Sequence, residues 1–129
     1  MVQVKIYGLE ANIIPNRPAL SDAIHTSLTE AIGTPEQKRF QRFIILEPEN
    51  FVFPDDRTDS YTIIEISMFE GRSIEAKKNL IRLLYQKIEE AVGITSQDLE
   101  ITLTETPKSN WGVRGVPGDE LNLDYKIDV

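Results

Sequence analysis

Apolar residues follow two different spacings along the chain. Between residues 2 and 9, Val2, Val4 and Ile6 alternate with Gln3 and Lys5, which predicts a strand with one buried face. Further strands are predicted at 39–46, 61–69 and 98–105. Residues 18–32 and 74–92 instead repeat apolar side chains every three or four positions, which predicts two amphipathic helices. The predicted order is therefore strand, helix, strand, given twice.

Capping residues bound the two predicted helices. Pro18 suits the first turn of a helix, and Gly33 suits the left-handed conformation that ends one. Ser73 can cap the second helix, and Gly93 can end it. Between the two halves, the sequence predicts a turn, a short strand at 51–53 and then an acidic loop.

The second half of the chain repeats the first at an offset of 60 residues. The endings EAIG (30–33) and EAVG (90–93) are nearly identical, and the repeated positions are Leu20, Ile24, Leu28, Ala31 and Gly33 against Leu80, Leu84, Ile88, Ala91 and Gly93. Such a repeat indicates a duplicated β-α-β unit. We therefore predict a single α/β domain over 1–129, with halves at about 2–47 and 61–105 and a C-terminal segment at 106–129. Crossovers of one hand put both helices on one face of a four-stranded sheet.

The other face of that sheet is predicted to be too apolar for water and too polar for a dry core. Its predicted row is Gln3, Lys5, Tyr7, Gln41, Phe43, Ile45, Ile63, Glu65, Ser67, Glu100, Thr102 and Thr104. A mixed face of this kind is typical of an interface between subunits. The sequence thus predicts an oligomer.

Composition narrows the classes of function. The chain has 129 residues, a net charge of −7, one histidine and no cysteine. Acidic charge disfavours the binding of nucleic acid, and a single histidine without any cysteine disfavours a zinc site. No apolar run approaches the length of a membrane span, and residues 1–10 do not resemble a signal peptide. We therefore expect a cytoplasmic protein without cofactor, metal, nucleic acid or membrane.

The chain's only tryptophan lies in SNWGVRGVPGD (109–119), a stretch too rich in glycine and proline for a regular helix or strand. One interpretation is a loop that shapes a pocket, with Trp111 as its wall and Arg114 as a contact to an anion. The other is a segment in which Trp111 anchors the C-terminus or a neighbouring subunit. The sequence leaves both open.

Three segments carry a resemblance to a known family. IEISMFEGRSIEAKKNLI (64–81), GITSQDLEITLTE (93–105) and NWGVRG (110–115), together with the duplication, resemble the tautomerase superfamily and its malonate semialdehyde decarboxylase-like branch. The resemblance implies a homotrimer with inward-facing sheets and active sites near subunit boundaries. It also implies an N-terminal proline as the catalytic base and an arginine that binds the substrate carboxylate.

The resemblance assigns roles to particular residues. Arg72 matches the carboxylate-binding arginine, and Val2 occupies the place of the proline. With Met1 retained, a primary α-amine replaces the secondary amine one residue further out. Lys38 stands where the branch has an acidic residue, and Glu70 stands where it has the first of two arginines, of which Arg72 matches the second. A positive charge at Lys38 could also attract an anionic substrate.

Two functions of different class follow. The first is a keto–enol tautomerase acting on a small carboxylate-bearing substrate, with Met1, Val2 and Arg72 as catalytic residues and Lys38, Trp111 and Arg114 as substrate-binding residues. The alternative is a trimeric binding or structural protein that has lost catalysis, which the missing proline favours. A ferredoxin-like regulatory domain that dimerises through its sheet is the third and weakest interpretation.

Overall fold

The computed structural model describes residues 1–129 and contains one four-stranded sheet packed against two helices. The elements are β1 (Val2–Leu9), α1 (Glu10–Ile32), β2 (Gln41–Leu46), β3 (Thr62–Phe69), α2 (Ile74–Val92) and β4 (Leu99–Thr106). The strand order is β2-β1-β3-β4. Strand β1 is parallel to β2 and antiparallel to β3, which is parallel to β4. This is the predicted α/β arrangement of two β-α-β units.

The core lies between the helices and one face of the sheet. It contains 17 buried residues, among them Ile6 and Ile64 from the central strands and Leu20 and Leu84 from the helices. Gly33 and Gly93 end the helices with φ angles of 71° and 74°, and Ser73 caps α2 by accepting a hydrogen bond from the Ala76 amide. The predicted end signals of both helices are therefore confirmed.

Helix α1 begins at Glu10, eight residues before the predicted start at Pro18. Pro15 and Pro18 lie inside it, although each lacks the amide that a helix interior uses. Tertiary contacts hold the additional turns: Ile13 is fully buried, and Asn12 Nδ2 donates to Thr62 Oγ1 at 2.9 Å. The prediction was wrong because these contacts are invisible in local sequence.

The predicted strand at 51–53 is also wrong, since that segment follows a 3₁₀ turn at Pro48–Asn50 and pairs with no other strand. Its alternating aromatic residues pack as a cluster instead of forming a ladder. The Phe51 ring centroid lies 5.3 Å from those of Phe53 and Tyr61.

The open face of the sheet differs from the prediction in one strand. Ile6 faces the helices and pairs with Phe43, so Gln41, Phe43 and Ile45 lie on the helix side of β2. Gln41 accordingly accepts a hydrogen bond from Ser21 of α1. The open face of β2 carries Arg42, Ile44 and Leu46 instead, because a shift of one residue reverses every side chain of a strand.

The segment 109–119 forms more regular structure than its composition predicts. A 3₁₀ turn (Lys108–Asn110) leads into β5 (Gly112–Val113), which pairs with β6 (Val116–Pro117). Arg114 and Gly115 form the turn of this small hairpin with φ angles of 50° and 87°. A second 3₁₀ turn follows at Gly118–Glu120, and residues 121–129 then run back to the main sheet without a strand.

Candidate active site

The candidate site lies where β3 ends and α2 begins. Phe69 is the last residue of β3, Arg72 follows, and Ser73 caps the helix. Gly71 between them has a φ of 136°, a conformation that side chains rarely permit. The chain therefore turns sharply after β3 and places Arg72 beside the N-terminus of α2, which carries a partial positive charge.

Arg72 is a buried cation with unused donors. Only 5% of the residue is exposed, and its Nη1 donates to the Phe69 carbonyl at 3.1 Å. Its Nε and Nη2 are buried and have no hydrogen-bond partner. Burial lowers the pKa of Arg72, while the neighbouring Tyr125, Glu105 and Asp128 act in the opposite direction. A buried guanidinium with free donors is suited to bind a carboxylate.

The α-amine of Met1 lies in the same site. Met1 is 6% exposed, and its carbonyl accepts a hydrogen bond from the Phe69 amide at 3.3 Å. The main chain of Phe69 therefore joins Met1 to Arg72. Burial, followed by the charges of Arg72, Lys108 and Lys38, lowers the pKa of the amine from 8.0 to about 5. Such an amine is neutral at pH 7 and can accept a proton.

Aromatic and aliphatic side chains pack with Met1. Met1, Phe69 and Ile127 form a small buried cluster separate from the main core, with Trp111 packed against it. The Trp111 ring meets Phe69 edge-on at a centroid distance of 5.1 Å, and its Nε1 donates to Thr106 Oγ1 at 2.7 Å. Trp111 thus packs against the cluster that contains Ile127 of the C-terminal segment, and its role as a pocket wall stays a prediction.

A cavity of about 460 Å³ adjoins this cluster. It is lined by Lys108, Gly118, Asp119, Leu121, Leu123, Tyr125, Lys126, Ile127 and Asp128. Lys108, which sequence reasoning missed, affects the amine more strongly than Lys38 does. No motif identified it, since only the packing of the 108–120 segment brings it near residue 1. The only indication in the sequence was that Lys108 closely follows the predicted strand at 98–105, which lies in a segment that resembles the family.

The other predicted site residues lie at different distances from this centre. Val2 is 4% exposed and packs in the main core rather than in the Met1 cluster. Lys38 is half-buried and acts on the amine through its charge. Burial raises the pKa of the Tyr125 phenol, and the charge of Arg114, which is exposed at the hairpin turn, acts in the opposite direction. The structure thus brings Met1, Arg72, Trp111 and Lys38 together, whereas Arg114 stands at the rim.

The structure contains no group of three histidine, cysteine or acidic side chains placed to hold a metal ion. Neither helix is apolar over a length that could span a bilayer.

Comparison with known proteins gives the family. A family model described as "Tautomerase enzyme" matches residues 38–114, more than half of the chain. The chain belongs to the tautomerase superfamily. The probable tautomerase YrdN of Bacillus subtilis is 30% identical over 98 residues, covering 71% of this chain and 74% of YrdN. The 2-hydroxymuconate tautomerase of Comamonas testosteroni is 42% identical over 57 residues, which are 44% of this chain and 90% of that enzyme.

Solved structures of tautomerase-like proteins have the same fold. A malonate semialdehyde decarboxylase, 23% identical, superposes with a TM-score of 0.80 over 92% of this chain and 99% of that one. A wild-type fused 4-OT that forms an asymmetric trimer, 19% identical, also gives a TM-score of 0.80 over 91% of this chain and 96% of that one. At these identities the likeness shows the fold.

Proposed function

We propose that this protein is a keto–enol tautomerase acting on a small carboxylate-bearing substrate, with the α-amine of Met1 as the base. The observation that carries the proposal is the pairing of a buried amine, whose pKa falls to about 5, with a buried guanidinium that has two unpartnered donor atoms. A relative that acts as a 2-hydroxymuconate tautomerase supports the reaction class.

Each group has one role in the proposed reaction. Arg72 binds the substrate carboxylate through Nε and Nη2, which need an acceptor when buried. The neutral amine removes the proton from the enol oxygen, and the resulting ammonium returns a proton to carbon, so the enzyme ends unchanged. Trp111 and Phe69 exclude water from the amine, which strengthens the charge interactions inside the site. The positive charges of Lys38 and Lys108 draw the anionic substrate inward.

The test is ketonisation of phenylenolpyruvate by the purified protein. Arg72→Met should lower kcat/KM by about 10- to 100-fold, the usual loss for a charge-assisted hydrogen bond. Arg82→Met is the matched control, because Arg82 lies on the exposed surface of α2. Chemical acetylation of the Met1 amine should abolish the rate. A wild-type rate equal to that of buffer, unaffected by Arg72→Met, would contradict the proposal.

A second candidate is a binding protein of the same fold without catalysis. The observation that favours it is the closure of the site, since Met1 and Arg72 are both more than nine-tenths buried. Carboxylate binding that requires Arg72, combined with no ketonisation, is the result expected for this candidate.

The same proposal extends to the branch of the superfamily and the oligomeric state. We place the chain near the malonate semialdehyde decarboxylase-like branch on the fold match, while Lys38 and Glu70 argue against decarboxylation itself. We propose a homotrimer, supported by the trimeric 4-OT structure and by apolar side chains such as Ile44 and Ile63 on the open face of the sheet. A single domain over 1–129 and a cytoplasmic location stay predictions.

A further inference from the structure

The last five residues of the chain cover the candidate site, and we name residues 125–129 the C-terminal strap. We infer that this strap is a displaceable plug, which occupies the substrate's position in the free protein and is released when a carboxylate ligand binds. The identity of that ligand rests on the proposed function, whereas the position and release of the strap do not.

Three contacts hold the strap in place. The Val129 carbonyl oxygen accepts a hydrogen bond from the Ser73 amide at 2.8 Å, at the N-terminus of α2. Ile127 is 5% exposed and packs with Met1 and Phe69. The strap also lies directly on Gly71, where a Cβ would stand 2.7 Å from Asp128 Oδ1 and 2.9 Å from Ile127 Cγ2. The glycine required by the turn thus also permits this close approach.

The strap lies at the polar groups that a substrate carboxylate would need, the Ser73 amide and the Arg72 guanidinium. The Ser73 amide directly follows Arg72 at the helix N-terminus, and it already donates to Val129. The carboxylate of Asp128 acts on Arg72 through its charge, while the Nε and Nη2 donors stay without a partner. A substrate carboxylate on Arg72 would satisfy those donors and place a second negative charge near the carboxylate of Asp128. Binding of the ligand therefore weakens the attachment of the strap.

Because both Met1 and Arg72 are buried, part of the protein must move before a substrate can reach them. With Met1 at 6% and Arg72 at 5% exposure, no substrate reaches the amine while the strap is docked. The strap is the segment best suited to move, because it has no strand pairing and packs on the small Met1 cluster rather than the main core. The neighbouring cavity of about 460 Å³ is lined by strap residues and would join the site on release.

The first test measures access to Arg72 without any substrate. Phenylglyoxal, which modifies accessible arginine, is applied to the full-length protein, and the peptide containing Arg72 is quantified by mass spectrometry. Ile127→Ala should speed this modification by about tenfold or more, since burying an isoleucine side chain contributes at least that factor. Asp128→Asn should speed it by a smaller factor. Lys126→Ala is the matched control, because Lys126 is an exposed neighbour in the same strap.

The main core contains no strap residue, so a thermal melt can verify that Ile127→Ala remains folded. If that variant unfolds, Asp128→Asn and the exchange measurement below still decide the question. Equal modification rates in wild type and the folded strap variants would overturn the inference.

The second test uses amide hydrogen exchange of the wild type with pyruvate as the carboxylate probe. Release predicts faster exchange of the Ser73 amide, whose hydrogen bond to Val129 would be lost, as pyruvate saturates. Unchanged or slower exchange there would overturn the inference, and slower exchange would show a lid that closes over its ligand.

Activity separates the strap from the proposed function. In ketonisation assays, Ile127→Ala should lower KM by about tenfold, because the competitor for the site is removed. Faster phenylglyoxal modification of Ile127→Ala, combined with a wild-type ketonisation rate equal to that of buffer, would support the strap inference and contradict the proposed tautomerase activity. Normal wild-type ketonisation, combined with an unchanged KM in Ile127→Ala, would contradict the strap inference and support the proposed activity.

Discussion

Removing each nearby cation should raise the pKa of the Met1 amine, and the size of the rise should differ among the three cations in a fixed order. Replacing Arg72 by methionine keeps the length of an apolar side chain and removes the charge that lowers this pKa most. Lys108→Met removes the next largest contribution and Lys38→Met the smallest. All three variants should therefore raise the pKa, and Arg72→Met should raise it most.

The size of the effect follows from burial. In wild type the pKa is about 5 against an ordinary value of 8.0. At pH 7 about 99% of the amines are then neutral, compared with about 10% for an unperturbed amine. Burial is the largest cause of the lowering and survives every substitution. None of the variants should therefore reach 8.0.

The assay is an NMR titration of the Met1 amine after reductive methylation with ¹³C-formaldehyde. Arg82→Met, which removes an exposed cation from the surface of α2, serves as the control and should leave the titration unchanged. A wild-type pKa near 8 would refute the enclosed amine. A larger effect from Lys38→Met than from Arg72→Met would refute the arrangement of cations around it.

Three further predictions concern stability. Arg72→Met should raise the urea midpoint by an amount equivalent to about 1–4 kcal/mol, since a buried charge without an ion-pair partner is replaced by an apolar side chain; a lower midpoint would mean that the hydrogen bond to the Phe69 carbonyl outweighs the cost of burying that charge. The Met1 amine should make the unfolding free energy rise with pH between about 5 and 8.0, because only the unfolded chain binds its proton in that window; urea titrations of protein acetylated at this amine should lose this part of the slope, and retention of the full slope would contradict the assignment. Asn12→Ala should cost about 1–3 kcal/mol by leaving Thr62 Oγ1 without its donor and should speed amide exchange in residues 10–17; unchanged exchange there would show that the early helix is held by other contacts.

Duplication made the architecture readable from sequence. The constant offset between Gly33 and Gly93 predicted two equal units, and both glycines end helices in the left-handed conformation that glycine alone adopts without strain. Ser73 was identified for a similarly local reason, because a capping side chain bonds an amide three residues away. Features that depend on contacts within one turn of a helix can therefore be predicted from the sequence.

Register and long-range packing were not readable in the same way. Phe43 was assigned to the open face because alternation fixes which residues share a face but not which face is buried. The early start of α1 depends on Asn12, whose partner Thr62 lies 50 residues away. Both features are decided by contacts between distant segments.

For the candidate site, the sequence by itself determined the chemistry available: a single arginine between a strand and a capped helix, an amine at residue 1, and a tryptophan in a glycine-rich segment. Only the tertiary structure joined Met1 to Arg72 through the main chain of Phe69, brought the charge of Lys108 near the amine and packed Ile127 against Met1. The physical reason is burial. An amine and a guanidinium have ordinary properties in water, and their altered proton affinities arise only when the fold removes them from solvent.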